Sequence, residues 1–568
     1  MKKIFCCLFV CMVVSVAHSQ QLNLFQHQWR DLQRPTNVSF ANNNIHYRND
    51  IVPKITIKKN EALTAWKGEK VNTEILVWTS KPIADLRLTT TDLKDGSGHV
   101  IDKKNIALSF VKYVWTDGYF GNGCGKRNNQ QLDSSLVADI IDNVSKGSVK
   151  GNSVQPVWVS VQVPLNARPG KYAGKIAVSI DNKTSMLDLQ VEVSDKELPA
   201  PEKWSFDLDL WQYPVCIARF HKVELWSDEH FKIMRPYFEM LANAGQKCIT
   251  ISMIEGGNQS KEVSPAMIKF IKKADGSWQY DYSLFDKYVS FVMICGINKR
   301  INCYSMIPWT MNFSYHDEAS NTDTSFTTTV NSQAYKNYWQ SFLIDFAAHL
   351  KQKKWFEKTS IAMDERKLDD MLAAIKIVKE TDTGWHVSLA GSYHPELADK
   401  IYDYSIFKAS LFSKEELRYR NEHKLPSTFY TSCEGEKPNM FTFSSPAESV
   451  WMGWYAAAKG FTGYLRWGYN LWNDHPLIDS RWIYPGGDAF QIYPGPRSSV
   501  RFEKLLEGIQ DFEKIRILKE VYQKTNNKKG LSIINNSLSE FENERLDETS
   551  AEIIIQRAKK IFLEPGDQ

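Results

Sequence analysis

The strongest constraint on this chain is a rhythm that begins after residue 201. Short apolar runs at 206–211, 248–254, 302–309, 360–363, 386–390, 404–409, 428–432 and 463–468 read as strands. Helical stretches such as 228–244, 282–295, 335–350, 367–379 and 447–458 fall between them. Parallel neighbouring strands need a crossover long enough to hold a helix. Eight units in this order match a (β/α)8 barrel of the TIM type. A doubly wound open sheet shares the alternation and is the competing architecture. Beyond Arg501 the pattern is helical to the end, with Leu505, Ile509, Phe512 and Ile515 at helical spacing. That tail reads as the last barrel helix plus a C-terminal helical extension.

Upstream the period is two. Segments 73–78, 86–88, 157–161 and 186–191 alternate apolar and polar residues, with turn signals at Asp95-Gly96, Asp117-Gly118, Pro169-Gly170 and Asp181-Asn182. Short strands without intervening helices indicate an all-β sandwich. Leu198-Pro199-Ala200-Pro201 then reads as an extended linker, because the residue before a proline is pushed out of the helical region. The expected organisation is a signal peptide over 1–19, a β-sandwich over 20–200 and a catalytic barrel with C-terminal helices over 201–568. The sandwich is expected to pack against the barrel as a scaffold.

The signal peptide is read from Lys2 and Lys3, the apolar run 4–16 and the small residues Ala17 and Ser19. The residues before Cys11 lack the small residue of a lipoprotein cleavage site. No later apolar run reaches membrane-spanning length, so the expected product is exported, periplasmic or secreted, and soluble. A formal charge of +4 over 568 residues, with no dense Lys/Arg run, argues against nucleic acid as a partner. Cys124, Cys216, Cys248, Cys295, Cys303 and Cys433 match neither a zinc nor a redox spacing and are expected as structural thiols. A Cys295–Cys303 bridge has no support beyond proximity in sequence.

In a barrel, chemistry sits at the C-terminal ends of the strands. The fourth run closes in Asp364-Glu365, followed by Arg366. Two adjacent carboxylates at the end of an apolar strand disfavour double ionisation, which raises one of them toward general-acid use. The same pair also fits a helix cap, with Asp364 capping a helix that starts at Arg366. Other strand ends carry rings and hydrogen-bonding groups: Trp211-Gln212-Tyr213, Trp309, Gly391-Ser392-Tyr393-His394 and Arg466-Trp467-Gly468-Tyr469-Asn470, with Trp472 just beyond. Rings that stack on a pyranose beside amides that read its hydroxyls describe a sugar site. The expected sugar-binding residues are Trp309, Tyr393, Tyr430, Trp467, Tyr469 and Asn470. Trp78 and Trp158 are expected in the sandwich core. No Gly-x-Ser-x-Gly, P-loop or calcium-loop pattern is complete, and the 12 histidines form no H-x-x-x-H pair. Neither a metal nor a cofactor is expected.

The segment Gly487-Asp488-Ala489-Phe490-Gln491-Ile492-Tyr493-Pro494-Gly495, with Ser499-Val500-Arg501-Phe502-Glu503 and Glu507-Gly508-Ile509-Gln510-Asp511-Phe512-Glu513, resembles the C-terminal signature of glycoside hydrolase family 123. Asp364-Glu365 stands where that family has its catalytic dyad, and the sandwich-then-barrel layout is similar. The resemblance implies exo-acting release of terminal β-linked N-acetylgalactosamine (GalNAc) from a glycan or glycoconjugate, with retention and substrate assistance. It implies Glu365 as general acid/base, and Asp364 as the group that holds the 2-acetamido N–H and stabilises an oxazoline-like intermediate. Two other readings stay open. One is an ordinary retaining glycosidase with Glu365 as acid/base and Glu434 as nucleophile. The other is a glycan-binding protein without catalysis.

Overall fold

Two β-sheets face each other across an apolar layer in the N-terminal part of the computed structural model, which describes residues 27–119, 124, 134–260 and 262–563. The expected signal peptide lies outside these residues. One sheet orders its strands Thr36–Ala41, Lys70–Thr79, Ser153–Gln162, Ile106–Thr116 and Ser135–Asp142. The other is built around Asn60–Lys67, Lys183–Glu197, Gly170–Ile180, Ile83–Thr90 and Lys146–Val149. Period-two alternation holds in the second sheet, where Leu187, Leu189 and Val191 point inward and Asp188 and Glu192 point to solvent. It fails in the first. Residues 73–79 and 156–161 are buried without a break, because that sheet is covered on both faces. Trp78 and Trp158 are buried as expected, but on the outer face of that sheet: Trp78 with Leu76 and Val154, and Trp158 with Val111, Ala138 and Ile141 against Val500 of the last barrel helix.

The edge strand Ser135–Asp142 is closed by the barrel itself, through a bridge between Ile140 and Ser499 and a bond from Ile141 N to Ser498 O at 3.0 Å. An unpaired edge would otherwise be a template for aggregation. At this seam Asp139 and Arg501 form a fully buried ion pair at 3.0 Å. The Tyr493 hydroxyl donates to Asp139 Oδ2 at 2.7 Å. Arg501 Nη1 donates to the carbonyls of Met440 (2.7 Å), Gly487 (3.0 Å) and Phe490 (3.1 Å). Farther along the same helix, Val500–Lys524, Glu503 pairs with Lys70 at 2.6 Å and Lys514 with Glu69 at 2.6 Å. Gln510 exchanges two hydrogen bonds with the Lys70 backbone, each of 2.9 Å. The linker is extended as expected, yet it is docked: Leu198 is buried and its N–H donates to Lys67 O at 2.8 Å.

The barrel follows. Its strands are Asp207–Leu210, Cys248–Ser252, Arg300–Tyr304, Thr359–Met363, His386–Gly391, Asp403–Phe407, Ser427–Tyr430 and Gly463–Arg466, all parallel in one eight-stranded sheet. Closure between the first and second strands is nearly complete. A single bridge joins Leu208 to Gln246, and side-chain amides extend it where the backbones diverge. Leu210 N donates to Gln246 Oε1 and Thr250 N to Gln212 Oε1, both at 2.9 Å. At the opposite end from the site, Arg300 bonds Asp207 bidentately and Asp403 at 3.1 Å. Each of these three residues opens a strand, so the charges form a floor for the barrel.

Two features depart from the expected (β/α)8 pattern. No α-helix follows the fifth strand; a short 3-10 turn, Pro395–Leu397, makes that crossover. Inserted hairpins after the second and third strands, Lys269–Lys272 with Trp278–Asp281 and Asn312–Asp317 with Thr322–Thr327, join into a separate four-stranded sheet. The C-terminal extension forms helices Lys528–Leu538 and Ala551–Ala558, and Phe541 from the segment between them stacks on Trp454 at 4.9 Å.

The expectation of six unpaired thiols is corrected at two positions. Cys124 and Cys433 are disulfide-bonded and tie a sandwich loop to the loop after the seventh barrel strand. Cys295 and Cys303 remain separate buried thiols. The two partners lie 309 residues apart in the chain, so spacing gives no hint of the pair.

Two stability predictions follow from these seams. Arg501→Met strands Asp139 as a lone buried charge and should cost about 3–5 kcal/mol in denaturant unfolding. The double variant with Asp139→Asn should lose less than the sum of the single changes. Cys433→Ser should lower the thermal midpoint, by the equivalent of about 2–5 kcal/mol. Reductant should lower the midpoint of the parent protein and leave that of the variant unchanged.

Candidate active site

The fourth strand, Thr359–Met363, is buried at all five positions and delivers Asp364 and Glu365 to the C-terminal mouth of the barrel. The next helix starts at Leu368, and its N-cap is Lys367, which makes no side-chain cap bond. Asp364 is therefore not a helix cap. The two carboxylates meet different surroundings. Asp364 is buried, and burial pushes its carboxyl up to about 7 despite the opposing charge of Arg366. Its Oδ1 pairs with Arg366 Nη1 at 2.7 Å. Glu365 is exposed and accepts a hydrogen bond from the Tyr430 hydroxyl. Burial and the Glu365 charge together hold that phenol well above its ordinary range.

Arg366 organises this corner. Its Nε donates to Ile307 O at 2.7 Å and its Nη1 to Glu365 O at 2.8 Å. The guanidinium lies 3.7 Å from the centroid of the Trp309 ring, a cation–π contact. Trp309 is otherwise open, at 65% exposure. The third strand ends at Tyr304, so Trp309 sits on the loop beyond it and not at the strand end where the apolar run suggested. Tyr304 and Tyr213 are buried near enough to Asp364 that its charge helps to hold both phenols neutral. Trp211 packs on Tyr304 at 4.6 Å.

Of the expected sugar-binding residues, Trp309 and Tyr430 join the carboxylate pair. Trp467 is half-buried, packs edge-on to Tyr484 at 4.8 Å, and has an indole N–H without a partner. Tyr393 is half-buried, and its hydroxyl donates to Glu416 of the helix Lys414–Glu422. Tyr469 and Asn470 are placed differently from expectation. The Tyr469 hydroxyl donates to Tyr237 O at 2.9 Å. The Asn470 amide clamps the backbone of Tyr213, accepting from its N–H at 2.9 Å and donating to its carbonyl at 3.0 Å. Trp472 is buried, with Nε1 bonded to Ile492 O at 2.8 Å.

The reason is that residues 487–493 fold back over the end of the eighth strand. Gln491 N donates to Tyr469 O at 2.8 Å, and Asn470 bridges Phe490. The approach is close enough that a Cβ on Gly468 would lie 2.2 Å from Ala489 O, so only glycine fits there. Sequence reasoning named Tyr213 at a strand end and Arg366 beside the dyad without giving either a role, and it missed Tyr304. Arg366 was visible beside the dyad but reads locally as the first residue of a helix. Glu434 stands exposed on the disulfide-tied loop, its N–H donating to Ser432 Oγ at 3.2 Å.

Among the described residues, one cluster offers metal-ligand atom types: Asp209, Cys248 and Asp403, inside the barrel. Arg300 already bonds Asp403, and Asn302 Nδ2 lies 3.3–3.5 Å from all three residues. Burial pushes the Cys248 thiol well up, away from the thiolate a metal requires. Asn302 thus places a donor among the three residues, and Arg300 pairs with the Asp403 carboxylate.

Comparison with known proteins identifies the family. The model of the glycoside hydrolase 123 catalytic domain matches residues 211–518, and that of the glycoside hydrolase 123 N-terminal domain matches residues 40–180. A solved family 123 glycoside hydrolase from Clostridium perfringens, described for glycolipid glycan hydrolysis, is 29% identical. That match covers 93% of this chain and 97% of the other, with a TM-score of 0.83. A termite-gut GH10 xylanase containing a bacterial Ig-like domain matches 80% of this chain and 100% of its own at 10% identity, but with a TM-score of 0.33. No curated protein sequence matches. The dyad-bearing barrel, its N-terminal sandwich and both domain matches lead to one assignment: the chain belongs to glycoside hydrolase family 123 and is a glycoside hydrolase.

Proposed function

We propose that this hydrolase is an exo-acting β-N-acetylgalactosaminidase that works with retention, using the substrate's own 2-acetamido group as nucleophile. The observation that carries the reading is the contrast within the dyad, one carboxylate buried against a guanidinium and its neighbour exposed on a phenol. Exposed Glu365 is the proton carrier. It protonates the glycosidic oxygen as the bond breaks, then takes a proton from the water that opens the intermediate. The Tyr430 hydroxyl holds that carboxylate in one orientation. Buried Asp364 accepts the acetamido N–H and stabilises the positive charge that grows on nitrogen as the carbonyl oxygen attacks the anomeric carbon. Attack within one sugar needs little ordering, and the low-dielectric surroundings of Asp364 strengthen its effect.

Glycans on lipid or protein carriers are the proposed substrates. The similarity to a hydrolase of glycolipid glycans and the open ring of Trp309 beside the dyad support this. Export is proposed from the N-terminal sequence and the Cys124–Cys433 pair, which suits an oxidising compartment. Among the described residues no helix is long and apolar enough to cross a membrane.

Aryl β-GalNAc should be hydrolysed faster than aryl β-GlcNAc, and an N-acetylhexosamine thiazoline should inhibit tightly. Asp364→Asn should lower kcat about 10²–10³-fold. Glu365→Gln should lower it by a similar factor on oligosaccharides and by less on aryl glycosides, whose leaving groups need less protonation. Glu434→Gln should leave turnover within about threefold. Turnover that survives Asp364→Asn and fails in Glu434→Gln would replace this mechanism with an enzyme nucleophile. The pH profile gives a second test. Asp364 must be ionised to work, and its carboxyl sits at about 7. As pH falls through that value the neutral form takes over, so kcat/KM should decline about tenfold per unit below it.

A further inference from the structure

We propose that Arg366 is the positioning residue of this site: by pairing its charge with one oxygen of Asp364 it leaves the other to the substrate, and it ties that carboxylate to Trp309 as a stacking platform. The proposal rests on the reading of Asp364 as the acetamido-binding group.

The geometry divides the guanidinium among four tasks. Nη1 donates to the Glu365 carbonyl at 2.8 Å and lies 2.7 Å from Asp364 Oδ1 as an ion pair, an oxygen with no hydrogen bond of its own. Nε is anchored to Ile307 O at 2.7 Å, on the loop that follows the third strand. The flat face lies 3.7 Å from the Trp309 ring. Nη2 is buried and has no hydrogen-bond partner, although the side chain is only 7% exposed. A buried donor left unpaired costs about 1–3 kcal/mol unless something arrives to accept from it. A sugar seated over the dyad brings acceptor oxygens to this corner.

Two consequences separate Arg366 from a structural arginine. The first is electrostatic. Asp364 faces Arg366 and Glu365 on its own segment, Tyr213 after the first strand, Tyr304 on the third and Tyr430 on the seventh. The three phenols are held neutral, so Arg366 is the cation among these groups that opposes the effect of burial on Asp364 and favours its ionised form. The second is mechanical. With Arg366 covering one face of Trp309, the other face is presented at the mouth, where the apolar side of a sugar ring stacks. A lysine in this place keeps the charge but offers no planar surface to the indole.

The test compares Arg366→Gln, Arg366→Lys and Trp309→Ala with the parent enzyme, by kcat and KM across pH on aryl β-GalNAc. Arg366→Gln should move the acid limb of kcat/KM upward by about one unit, giving about tenfold extra loss below the limb and much less above it. Arg366→Lys should keep the limb within about 0.3 unit while KM rises, and Trp309→Ala should raise KM with the limb unmoved. A Gln profile that parallels the parent at every pH overturns the proposal and leaves Arg366 a packing residue. So does a Lys variant whose limb moves as far as expected for Gln. Should the Gln variant lack a cooperative thermal transition, the Lys and Ala variants decide. Failure of the parent to release GalNAc, or full activity of Asp364→Asn, removes the mechanism itself and is read from those two proteins alone.

Discussion

A fully buried ion pair, Asp139 with Arg501, joins the two halves of the molecule, and much of the rest of the structure is arranged around it. A charge removed from water is costly unless its partners are complete. Here the completion comes from several directions: Asp139 from the sandwich edge, Tyr493 from the segment after the eighth strand, and the carbonyls of Met440, Gly487 and Phe490. Satisfying one guanidinium thus determines the path of residues 487–493. That path covers the eighth strand end, buries Tyr469 and Trp472, and seats the sandwich. The C-terminal motif that carries the family resemblance is in this protein an assembly device. Arg501, Glu503, Gln510 and Lys514 all reach across to the sandwich, and Asp364 and Glu365 lie elsewhere.

The dyad shows how neighbouring residues of nearly identical chemistry acquire different surroundings. Successive side chains at a strand end point to different sides of the backbone. Asp364 turns into the barrel, where low dielectric penalises its charge and Arg366 partly restores it. Glu365 turns outward to water and Tyr430. The barrel supports this with two layers of rigidity. The Arg300 network fixes the strand openings at one end, and the Gln246 and Gln212 amides close the seam at the other side of the first strand.

The eight barrel strands, most of their helices and the position of the dyad were legible because each is a local pattern: a run of apolar residues, a helical period, two acids where a run ends. The third strand was read too long because Met306 and Ile307 are apolar and buried as loop residues beyond Tyr304. The fifth crossover lacks a helix because only a short segment separates Gly391 from Asp403. The inserted sheet escaped notice because its strands are four to six residues long and join hairpins from two different crossovers.

Site residues followed the same division. Asp364, Glu365 and Tyr430 could be placed at the mouth by strand order alone, while Trp309 reaches it from the loop beyond the third strand. Tyr469 and Asn470 occupy an equally suitable register but are covered by a distant segment, and nothing near them in sequence announces it. The Cys124–Cys433 bond and the Asp139–Arg501 pair join residues more than 300 positions apart. By itself the sequence determined the order of elements and the chemistry offered at each strand end, since periodicity and residue type are short-range properties. Only the tertiary structure decided which of those groups stand open at the mouth and which are spent on backbone, because burial and hydrogen-bond partnership depend on what folds over them.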